Sequence, residues 1–285
     1  MKMSEKNPQI ACVVMASGEG KRFGPQRGGK LLAPLGGMAV LALVLQALPA
    51  EEFCEMVVVT RWPAVEALCR NLQIPCVRHD GALRSDTIRA GLRAVTPGNR
   101  GASDGLIGRD VQSNLDKSGN LNETDNQHNP DACLFVAGDQ PLLTEESVRK
   151  MLQVWEEAWK HAQGSAKEQC FGDENAGKCV VCRLGWKQEG GNPILFPAAM
   201  FDALCALEGN RGGASLLRDN EMQDKGSQNK GIQDKGMQGK GIEVLVVEAG
   251  SPYELMDVDT PEALAELEAV CEGAIIGRPC DRRRI

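Results

Sequence analysis

The stretch "IACVVMASGEGKRFG", residues 10–24, joins an apolar run to a loop that contains three glycines and two adjacent cations. The apolar run is rich in valine and predicts a strand over residues 9–15 that is buried on both faces, as in mostly parallel sheets. Glycines let the backbone approach a ligand closely, and successive N–H groups in such a loop can hold an anion. The stretch therefore predicts a phosphate-binding loop charged by Lys21 and Arg22, the alternative being a solvated surface turn.

Two familiar motifs resemble parts of this loop but do not fit it. "GEGKRFG" is one residue longer than the dinucleotide-binding fingerprint, and its two cations occupy the space of the backbone cradle. "GPQRGGKL", residues 24–31, has the glycines and lysine of a P-loop, but it lacks the Ser or Thr that binds magnesium and begins well after the strand. We therefore expect neither of these two nucleotide sites.

The length and composition of the chain exclude several classes of protein. The chain has 285 residues, of which 42% are hydrophobic, and this is enough for one sizeable core. Its net charge of −7 argues against a nucleic-acid-binding protein, which usually carries a basic surplus. The most apolar stretch, residues 38–48, is too short to span a membrane and is predicted to be a buried helix. Because the first residues do not resemble a signal peptide, we expect a cytoplasmic protein that binds neither nucleic acid nor membrane.

The number and positions of the cysteines are also consistent with a cytoplasmic protein. The sequence has eleven of them, an odd number, and several lie in apolar runs. This favours reduced thiols in a core over a disulfide framework. Cys179 and Cys182 have the Cys-x-x-Cys spacing, but no second such pair stands at zinc-ribbon spacing, so we interpret both as strand residues.

Strand-like runs alternate with helical patterns along the chain. This alternation predicts a single Rossmann-like α/β domain in three layers, with a mostly parallel twisted sheet and helices on both faces. The predicted strands are residues 9–15, 55–60, 74–78, 132–138, 178–184, 192–196 and 242–248. The predicted helices are residues 38–48, 63–72, 85–95, 144–160, 198–208, 211–219 and 261–271.

Three polar segments interrupt the alternation: residues 97–130, 163–177 and 219–241. The first two are rich in polar residues and glycine, and the third is a degenerate repeat of Gln and Lys-Gly. None can bury enough apolar surface to offset the entropy of ordering it. We interpret all three as disordered surface insertions in one domain that spans residues 1–285.

Seven short segments, distributed along the chain outside the insertions, carry a resemblance to a known family. They are "MASGEGKRFG" (15–24), "KLLAPLGG" (30–37), "SDTIRAGL" (85–92), "VAGDQPLLT" (136–144), "GGNPILFP" (190–197), "LEGNRGGASLL" (207–217) and "LMDVDTPEAL" (255–264). In this order they resemble the molybdopterin nucleotidyltransferases, which share the fold of the sugar-nucleotide transferases. "GGNPILFP" resembles the cytidylyltransferase branch, the molybdenum cofactor cytidylyltransferases. The chain departs from the pattern at Ser17, where Ala or Gly is usual, and in a longer loop before Lys30.

The resemblance implies a reaction. An enzyme of this kind transfers CMP from CTP to the phosphate of molybdopterin cofactor, releases pyrophosphate and uses Mg²⁺. Its partners would be the nucleoside triphosphate, the molybdopterin-type substrate and an acceptor molybdoenzyme or its chaperone. Alternatives are a guanylyltransferase, a transferase with a sugar or alditol phosphate acceptor, and a non-catalytic nucleotide-binding or chaperone protein.

The chemistry needs cations on the leaving group and carboxylates for the metal, and the resemblance suggests which residues supply them. Arg22, Lys30 and Asp139 are the expected catalytic residues, and Asp139 and Asp259 the expected metal ligands, with Asp257 in support. The expected nucleotide-binding residues are Ala16, Ser17, Gly18, Glu19, Gly20, Lys21, Arg22, Lys30, Ser85, Thr87 and Gly91. The expected acceptor-binding residues are Gly191, Asn192 and Pro193.

Two further residues are interpreted from their positions alone. Thr260 is predicted to cap the last helix, with Pro261 in its first turn, so part of "DVDTPE" is ordinary helix-start chemistry. His79 follows the third predicted strand, where it could touch a nucleotide. We expect it to be a strand-end residue without a chemical role.

Overall fold

The computed structural model describes residues 7–24, 29–96, 106–107, 129–168, 179–218 and 241–275. The strands are β1 (Ile10–Met15), β2 (Pro34–Leu35), β3 (Met38–Ala39), β4 (Glu55–Thr60), β5 (Cys76–Arg78), β6 (Leu106–Ile107), β7 (Ala132–Ala137), β8 (Cys179–Trp186), β9 (Glu189–Pro197) and β10 (Ile242–Glu248). The helices are α1 (Gly29–Leu32), α2 (Val40–Gln46), α3 (Pro63–Asn71), α4 (Arg84–Val95), α5 (Glu145–Glu168), α6 (Phe201–Cys205), α7 (214–218) and α8 (Pro261–Ile275).

Eight strands form one sheet in the order β10-β8-β9-β7-β1-β4-β5-β6, and β2 and β3 form a separate hairpin. Within the sheet, β6 and β9 run opposite to the other strands. The prediction of a mostly parallel α/β sheet is thus confirmed. All seven predicted strands are present with small shifts at their ends.

Helices cover both faces of the sheet, as predicted. Alternate residues of β1 belong to two separate buried clusters, Ile10 and Cys12 to one and Ala11 and Val13 to the other. Side chains of α2, α3 and α5 pack in the first cluster, and side chains of α4 and α6 pack in the second. The valine-rich run of β1 is therefore buried on both faces because each of its faces has its own helical layer.

The predicted insertions differ from the structure at their borders. Helix α5 continues to Glu168 and so takes in the first part of segment 163–177. Residues 106–107, inside segment 97–130, pair with β5 as strand β6. Nearly all of segment 219–241 lies outside the described residues. The apolar stretch 38–48 begins as β3 and then forms the buried helix α2.

The cysteines of the Cys-x-x-Cys pair both lie in β8 and are buried. This agrees with their interpretation as strand residues. Burial raises the pKa of the Cys182 thiol to about 12, so the thiol is protonated at neutral pH. Within the part of the chain that the structure describes, no helix is long and apolar enough to cross a membrane.

Strand β1 lies at the point where the strand order reverses. From β1 the chain passes to β4 and β5 on one side, and later returns to β7 on the other side. In open α/β sheets, ligands bind at the carboxyl ends of the strands at such a switch point. The glycine loop after β1 and the turn after β7 both lie there.

Candidate functional site

A buried lysine joins two aspartates at the switch point. Lys30, in the short helix α1, is only 6% exposed. Its Nζ donates to a carboxylate oxygen of Asp139 and, at 2.8 Å, to Oδ1 of Asp259. Arg22 Nη2 donates to the other oxygen of Asp259 at 2.5 Å. Four of the predicted site residues, counted with Arg22, thus form one charged cluster.

Backbone contacts fix the two aspartates relative to each other. Asp139 follows β7, and its carbonyl accepts a hydrogen bond from the N–H of Val258 at 2.8 Å. The preceding Gly138 approaches β1 so closely that a Cβ there would lie 3.1 Å from the Met15 carbonyl oxygen. Gln140 Nε2 donates to the Leu255 carbonyl at 3.1 Å. The segment that carries Asp259 is therefore held against the end of β7.

The start of α8 agrees with its prediction. Helix α8 begins at Pro261, and the hydroxyl of Thr260 accepts the N–H of Ala263 at 3.2 Å. Thr260 is thus the N-cap. The side chain of Asp259 is engaged instead with Lys30 and Arg22, so its carboxylate is not needed for the cap.

The charges of the cluster shift each other's protonation. Burial alone would lower the pKa of Lys30, but the attraction and hydrogen bonds of Asp139 and Asp259 outweigh it and raise the pKa. The hydrogen bond from Lys30 holds the pKa of Asp259 below its usual value, with help from Arg22. Loss of solvent, together with repulsion by Asp139 and Asp259, raises the pKa of Asp257 to about 6. The cluster is therefore a concentration of negative charge that Lys30 offsets.

The glycine loop wraps around the stem of this lysine. Gly20 has a φ of +61°, and its carbonyl accepts the N–H of Phe23 at 2.9 Å in a tight turn. A Cβ at Gly20 would lie 3.5 Å from Cγ of Lys30, and one at Gly18 would lie 3.9 Å from its Cε. The loop thus brings its backbone to the lysine. Lys21 does not join the cluster: its side chain is 83% exposed and pairs with Glu19 at 2.7 Å.

A second polar group lies on the other side of β1. His79 Nε2 is 2.8 Å from the hydroxyl of Ser17 and 3.3 Å from that of Thr87. The Ser17 hydroxyl donates to the Val59 carbonyl at 3.2 Å. Ser17 and Thr87, which were both predicted to bind the nucleotide, thus lie close together. They are linked by His79, for which we expected no chemical role. The position of His79 just past a strand was visible in the sequence, but its contacts with Ser17 and Thr87 were not.

The other predicted nucleotide residues have structural partners. Ala16 is buried, and its N–H donates to the Val59 carbonyl at 2.8 Å. Ser85 is buried, and its N–H donates to the Gly209 carbonyl at 3.2 Å. Gly91 faces β1, where a Cβ would lie 2.5 Å from Cγ1 of Val13. Its lack of a side chain is explained by this packing, and its contact with a nucleotide stays a prediction.

The predicted acceptor residues lie at the same edge of the sheet. They lie in the first half of β9, which pairs antiparallel with β7, for example through Phe135 and Ile194. Gly191, Asn192 and Pro193 precede Ile194, so they are next to the carboxyl end of β7 and the turn with Asp139. The Gly191 carbonyl accepts Nε of Arg183 at 3.3 Å. Their role toward an acceptor stays a prediction.

The donor set of the cluster fits a divalent cation. Both Asp139 and Asp259 already direct an oxygen at one cationic atom, Nζ of Lys30, and carboxylate oxygens are the donors that Mg²⁺ prefers. Among the described residues, no group of three or more His, Cys, Asp or Glu side chains is arranged to hold a metal ion by itself. A site with one or two carboxylates, completed by substrate phosphates and water, is the type that Mg²⁺ uses.

An open α/β sheet with a glycine loop, cations and paired carboxylates at its switch point is the arrangement of a protein that binds nucleotide phosphates. Residues 12–225 match the MobA-like NTP transferase domain, and the chain belongs to this family of nucleotidyltransferases. The search of curated proteins found no match.

Several solved structures are similar to this chain in fold. A nucleotidyl transferase from Methanothermobacter thermautotroptrophicus has 20% identity and a TM-score of 0.58, over 93% of this chain and 99% of that one. Molybdopterin-guanine dinucleotide biosynthesis protein A from Archaeoglobus fulgidus has 14% identity and a TM-score of 0.52, over 92% and 99%. A Mycobacterium tuberculosis protein in complex with manganese has 17% identity and a TM-score of 0.52, over 93% and 100%.

Proposed function

We propose that this nucleotidyltransferase transfers CMP from CTP to the terminal phosphate of a molybdopterin-type cofactor and releases pyrophosphate. The observation that carries the proposal is the cluster in which Lys30 and Arg22 meet Asp139 and Asp259 at the switch point. Such a cluster offers both cations for a leaving pyrophosphate and carboxylates for a metal. A protein that only held a nucleotide would not need the second carboxylate.

Arg22 and Lys30 would bind the β- and γ-phosphates and stabilise the charge that develops on pyrophosphate. Arg22 is suited to this because its side chain is 72% exposed and so is open to a ligand. Charge-assisted hydrogen bonds of this kind are about twice as strong as neutral ones. The N–H groups of the glycine loop, from Gly18 to Gly20, would add donors beside these phosphates.

Asp139 and Asp259 would hold a divalent cation, with Asp257 beside them in support. A divalent cation held by these carboxylates would supply positive charge that lowers the repulsion between the phosphates of the two substrates. A structural relative in complex with manganese supports a divalent ion. Once they bound the cation, the two carboxylates would no longer pair with Lys30, and its side chain would be free to turn toward the phosphates.

No side chain is needed as a general base in this reaction. A phosphate monoester has a second pKa near about 6, so the acceptor phosphate is already largely ionised at neutral pH. The residues of the chain need only bind and align the two substrates. Asn192 and its neighbours, at the edge next to Asp139, would contact the acceptor.

Two observations support CTP as the nucleotide and molybdopterin cofactor as the acceptor. The segment "GGNPILFP" resembles the cytidylyltransferase branch, and a relative by fold is a molybdopterin-guanine dinucleotide biosynthesis protein. We further propose that the enzyme works in the cytoplasm and passes its product to a molybdoenzyme or its chaperone.

The test is pyrophosphate release from CTP, GTP, ATP and UTP with Mg²⁺, in the presence of either molybdopterin cofactor or a sugar phosphate as acceptor. We expect release with CTP and cofactor together, and none when either is omitted. Release with GTP instead would assign the guanine reaction, and release with a sugar phosphate would assign another acceptor. Binding of CTP without release in any combination would contradict an enzymatic role.

A further inference from the structure

Glu254 is a buried acidic residue outside the cluster of Lys30, Asp139 and Asp259. It lies in the 3₁₀ turn Pro252–Leu255, which follows β10, and it is only 1% exposed. Its side chain accepts four hydrogen bonds, and all four donors are neutral groups. Because a buried carboxylate loses its hydration, it must recover that free energy from its donors. The position of the Glu254 carboxylate is therefore closely defined.

Each oxygen of Glu254 binds a different segment of the chain. Oε1 accepts the N–H of Gly250 at 2.7 Å and that of Ser251 at 3.2 Å, so it caps the turn to which Glu254 itself belongs. Oε2 accepts the N–H of Thr144 at 3.1 Å and the hydroxyl of the same residue at 2.8 Å. Capping explains the first oxygen only, because the second binds a residue 110 positions earlier in the chain.

Thr144 connects Glu254 to the start of helix α5. The Thr144 hydroxyl oxygen accepts the N–H of Ser147 at 3.2 Å, which is the hydrogen bond of a helix N-cap. The same hydroxyl donates to Glu254. Since side chains of α5 pack in the buried cluster on the sheet, Glu254 is attached to a well-anchored part of the domain.

Two further hydrogen bonds join the same two segments nearer the expected metal ligands. The Asp139 carbonyl accepts the N–H of Val258, and Gln140 Nε2 donates to the Leu255 carbonyl. The partners follow in opposite order along the two segments, so the segments lie side by side. The expected metal ligands are at one end of this arrangement, and Glu254 is at the other end.

We propose that Glu254 is a positioning residue that sets the separation of Asp139 and Asp259, and thereby the affinity of the site for a divalent cation. This inference rests on the proposed function, which assigns the two aspartates as metal ligands. One of them follows β7 and the other precedes α8, so their separation depends on how these two segments are held together. Mg²⁺ binds oxygen at about 2.0–2.1 Å in nearly ideal octahedral geometry, so loosely held ligands would bind it weakly.

The connection through Glu254 is independent of Lys30. In this structure Lys30 bridges the two aspartates, whereas in the proposed reaction its side chain turns toward the phosphates. The four hydrogen bonds of Glu254 involve none of these three residues, so they would be retained when Lys30 moves. Glu254 would then keep the ligands at the spacing that the cation requires.

The experiment measures binding of Mn²⁺, which takes the same kinds of oxygen ligand as Mg²⁺, by the loss of its electron paramagnetic resonance signal. Glu254→Gln keeps the size of the side chain, but its N–H₂ group cannot accept from the N–H donors that it faces. We expect Mn²⁺ to bind about tenfold more weakly than to wild type, as for other groups that support metal ligands. CTP affinity by calorimetry in EDTA should stay within about twofold, because the glycine loop is a separate part of the site.

Two controls define what the measurement reports. Glu248→Gln is the matched control, since Glu248 is an exposed residue at the end of β10 whose side chain accepts the N–H of Lys187 at 2.9 Å. This variant should bind Mn²⁺ as wild type does. Asp139→Asn should lose Mn²⁺ binding, which shows that the ion is bound at the candidate site.

Thr144 provides a second test for the case in which Glu254→Gln fails to fold. Thr144→Ser keeps the hydroxyl that donates to Glu254 and should keep the Mn²⁺ affinity, whereas Thr144→Val removes it and should weaken Mn²⁺ binding. If Asp139→Asn loses Mn²⁺ binding but Glu254→Gln and Thr144→Val do not weaken it, this inference is wrong and the proposed function stands. If wild type binds no Mn²⁺, or Asp139→Asn binds it equally well, both are wrong.

Discussion

Lys30 is the residue on which the candidate site depends. It is buried, and it offsets the charge of two aspartates that lie more than a hundred positions further along the chain. Asp139 and Asp259 could each be predicted as site residues, one at the end of a strand and the other just before a helix cap. Their joint contact with Lys30 could not, because residue spacing gives no measure of how the loop before Lys30 returns to the sheet.

Replacing Lys30 with Met should destabilise the protein. Removing one partner of a fully buried pair costs about 3–5 kcal/mol, and because Asp259 is 37% exposed we expect about 2–3 kcal/mol. Chemical denaturation at pH 7 measures this. Lys21→Met is the matched control, since Lys21 is 83% exposed, and it should change the free energy of unfolding by less than about 0.5 kcal/mol. Equal effects of the two variants would contradict the assignment of Lys30.

His79 predicts a pH dependence of stability. Burial lowers its pKa, the nearby Asp86 and Asp80 oppose this, and Arg61 adds to it. The folded protein therefore binds a proton at His79 less readily than the unfolded chain does. The stability from neutral His79 is present above the unfolded pKa of about 6.5 and is lost as the pH falls below it.

Melting temperatures of wild type and His79→Phe should accordingly converge or cross as the pH falls from 7.5 to 5. Wild type should lose more, because only its ring must stay neutral in the fold. If the melting temperatures of the two proteins change equally with pH across this range, the pKa of His79 is the same in the folded and unfolded states. The contact of His79 with Ser17 could not be predicted from the sequence, because it depends on side-chain packing.

Among the secondary-structure elements, helix α4 packs directly against strand β1. A Cβ on Gly91 would lie 2.5 Å from Cγ1 of Val13, closer than packed atoms allow. The helical pattern of residues 85–95 predicts α4, and the segment around Gly91 was interpreted as a nucleotide contact. The close approach of helix and strand gives this glycine a packing role that the motif alone does not reveal.

Gly91→Ala should therefore destabilise the protein by about 1–3 kcal/mol through overpacking. The control is Gly273→Ala in α8, where a Cβ would have no atom within 4 Å. That change should stabilise the protein by about 0.5–1 kcal/mol, since alanine favours a helix. Denaturant unfolding distinguishes the two signs. Stabilisation by both variants would show that α4 does not pack on β1 as described.

At the scale of the whole molecule, the order of strands and helices could be predicted almost completely. Continuous apolar runs and helical periodicity lie in the sequence itself, so β1, β4 and β7 were found with nearly correct ends. The end of α5 was not, because its last residues are polar and resemble the segment that follows. The position of β9 in the sheet also depends on long-range pairing that local pattern does not contain.

The Gln and Lys-Gly repeat should be dispensable for the fold. The last described residue before it is Arg218 and the first after it is Gly241. Replacing residues 220–240 with a short Gly-Ser linker should leave the melting temperature and CTP affinity nearly unchanged, because loop-closure cost varies slowly with length. Differential scanning calorimetry of the two proteins checks this. A large fall in the melting temperature would show that the repeat packs on the domain.

We propose that Asp139 and Asp259 act together in CMP transfer. This can be measured as the rate of CMP transfer from CTP to molybdopterin cofactor in wild type, Asp139→Asn, Asp259→Asn and the control Asp202→Asn, an exposed residue of α6. We expect each of the first two to lose at least about a hundredfold in kcat, since a lost metal ligand removes several kcal/mol of charge stabilisation, and Asp202→Asn to match wild type. Turnover of Asp139→Asn and Asp259→Asn within about tenfold of wild type would show that the two aspartates are not needed for the reaction.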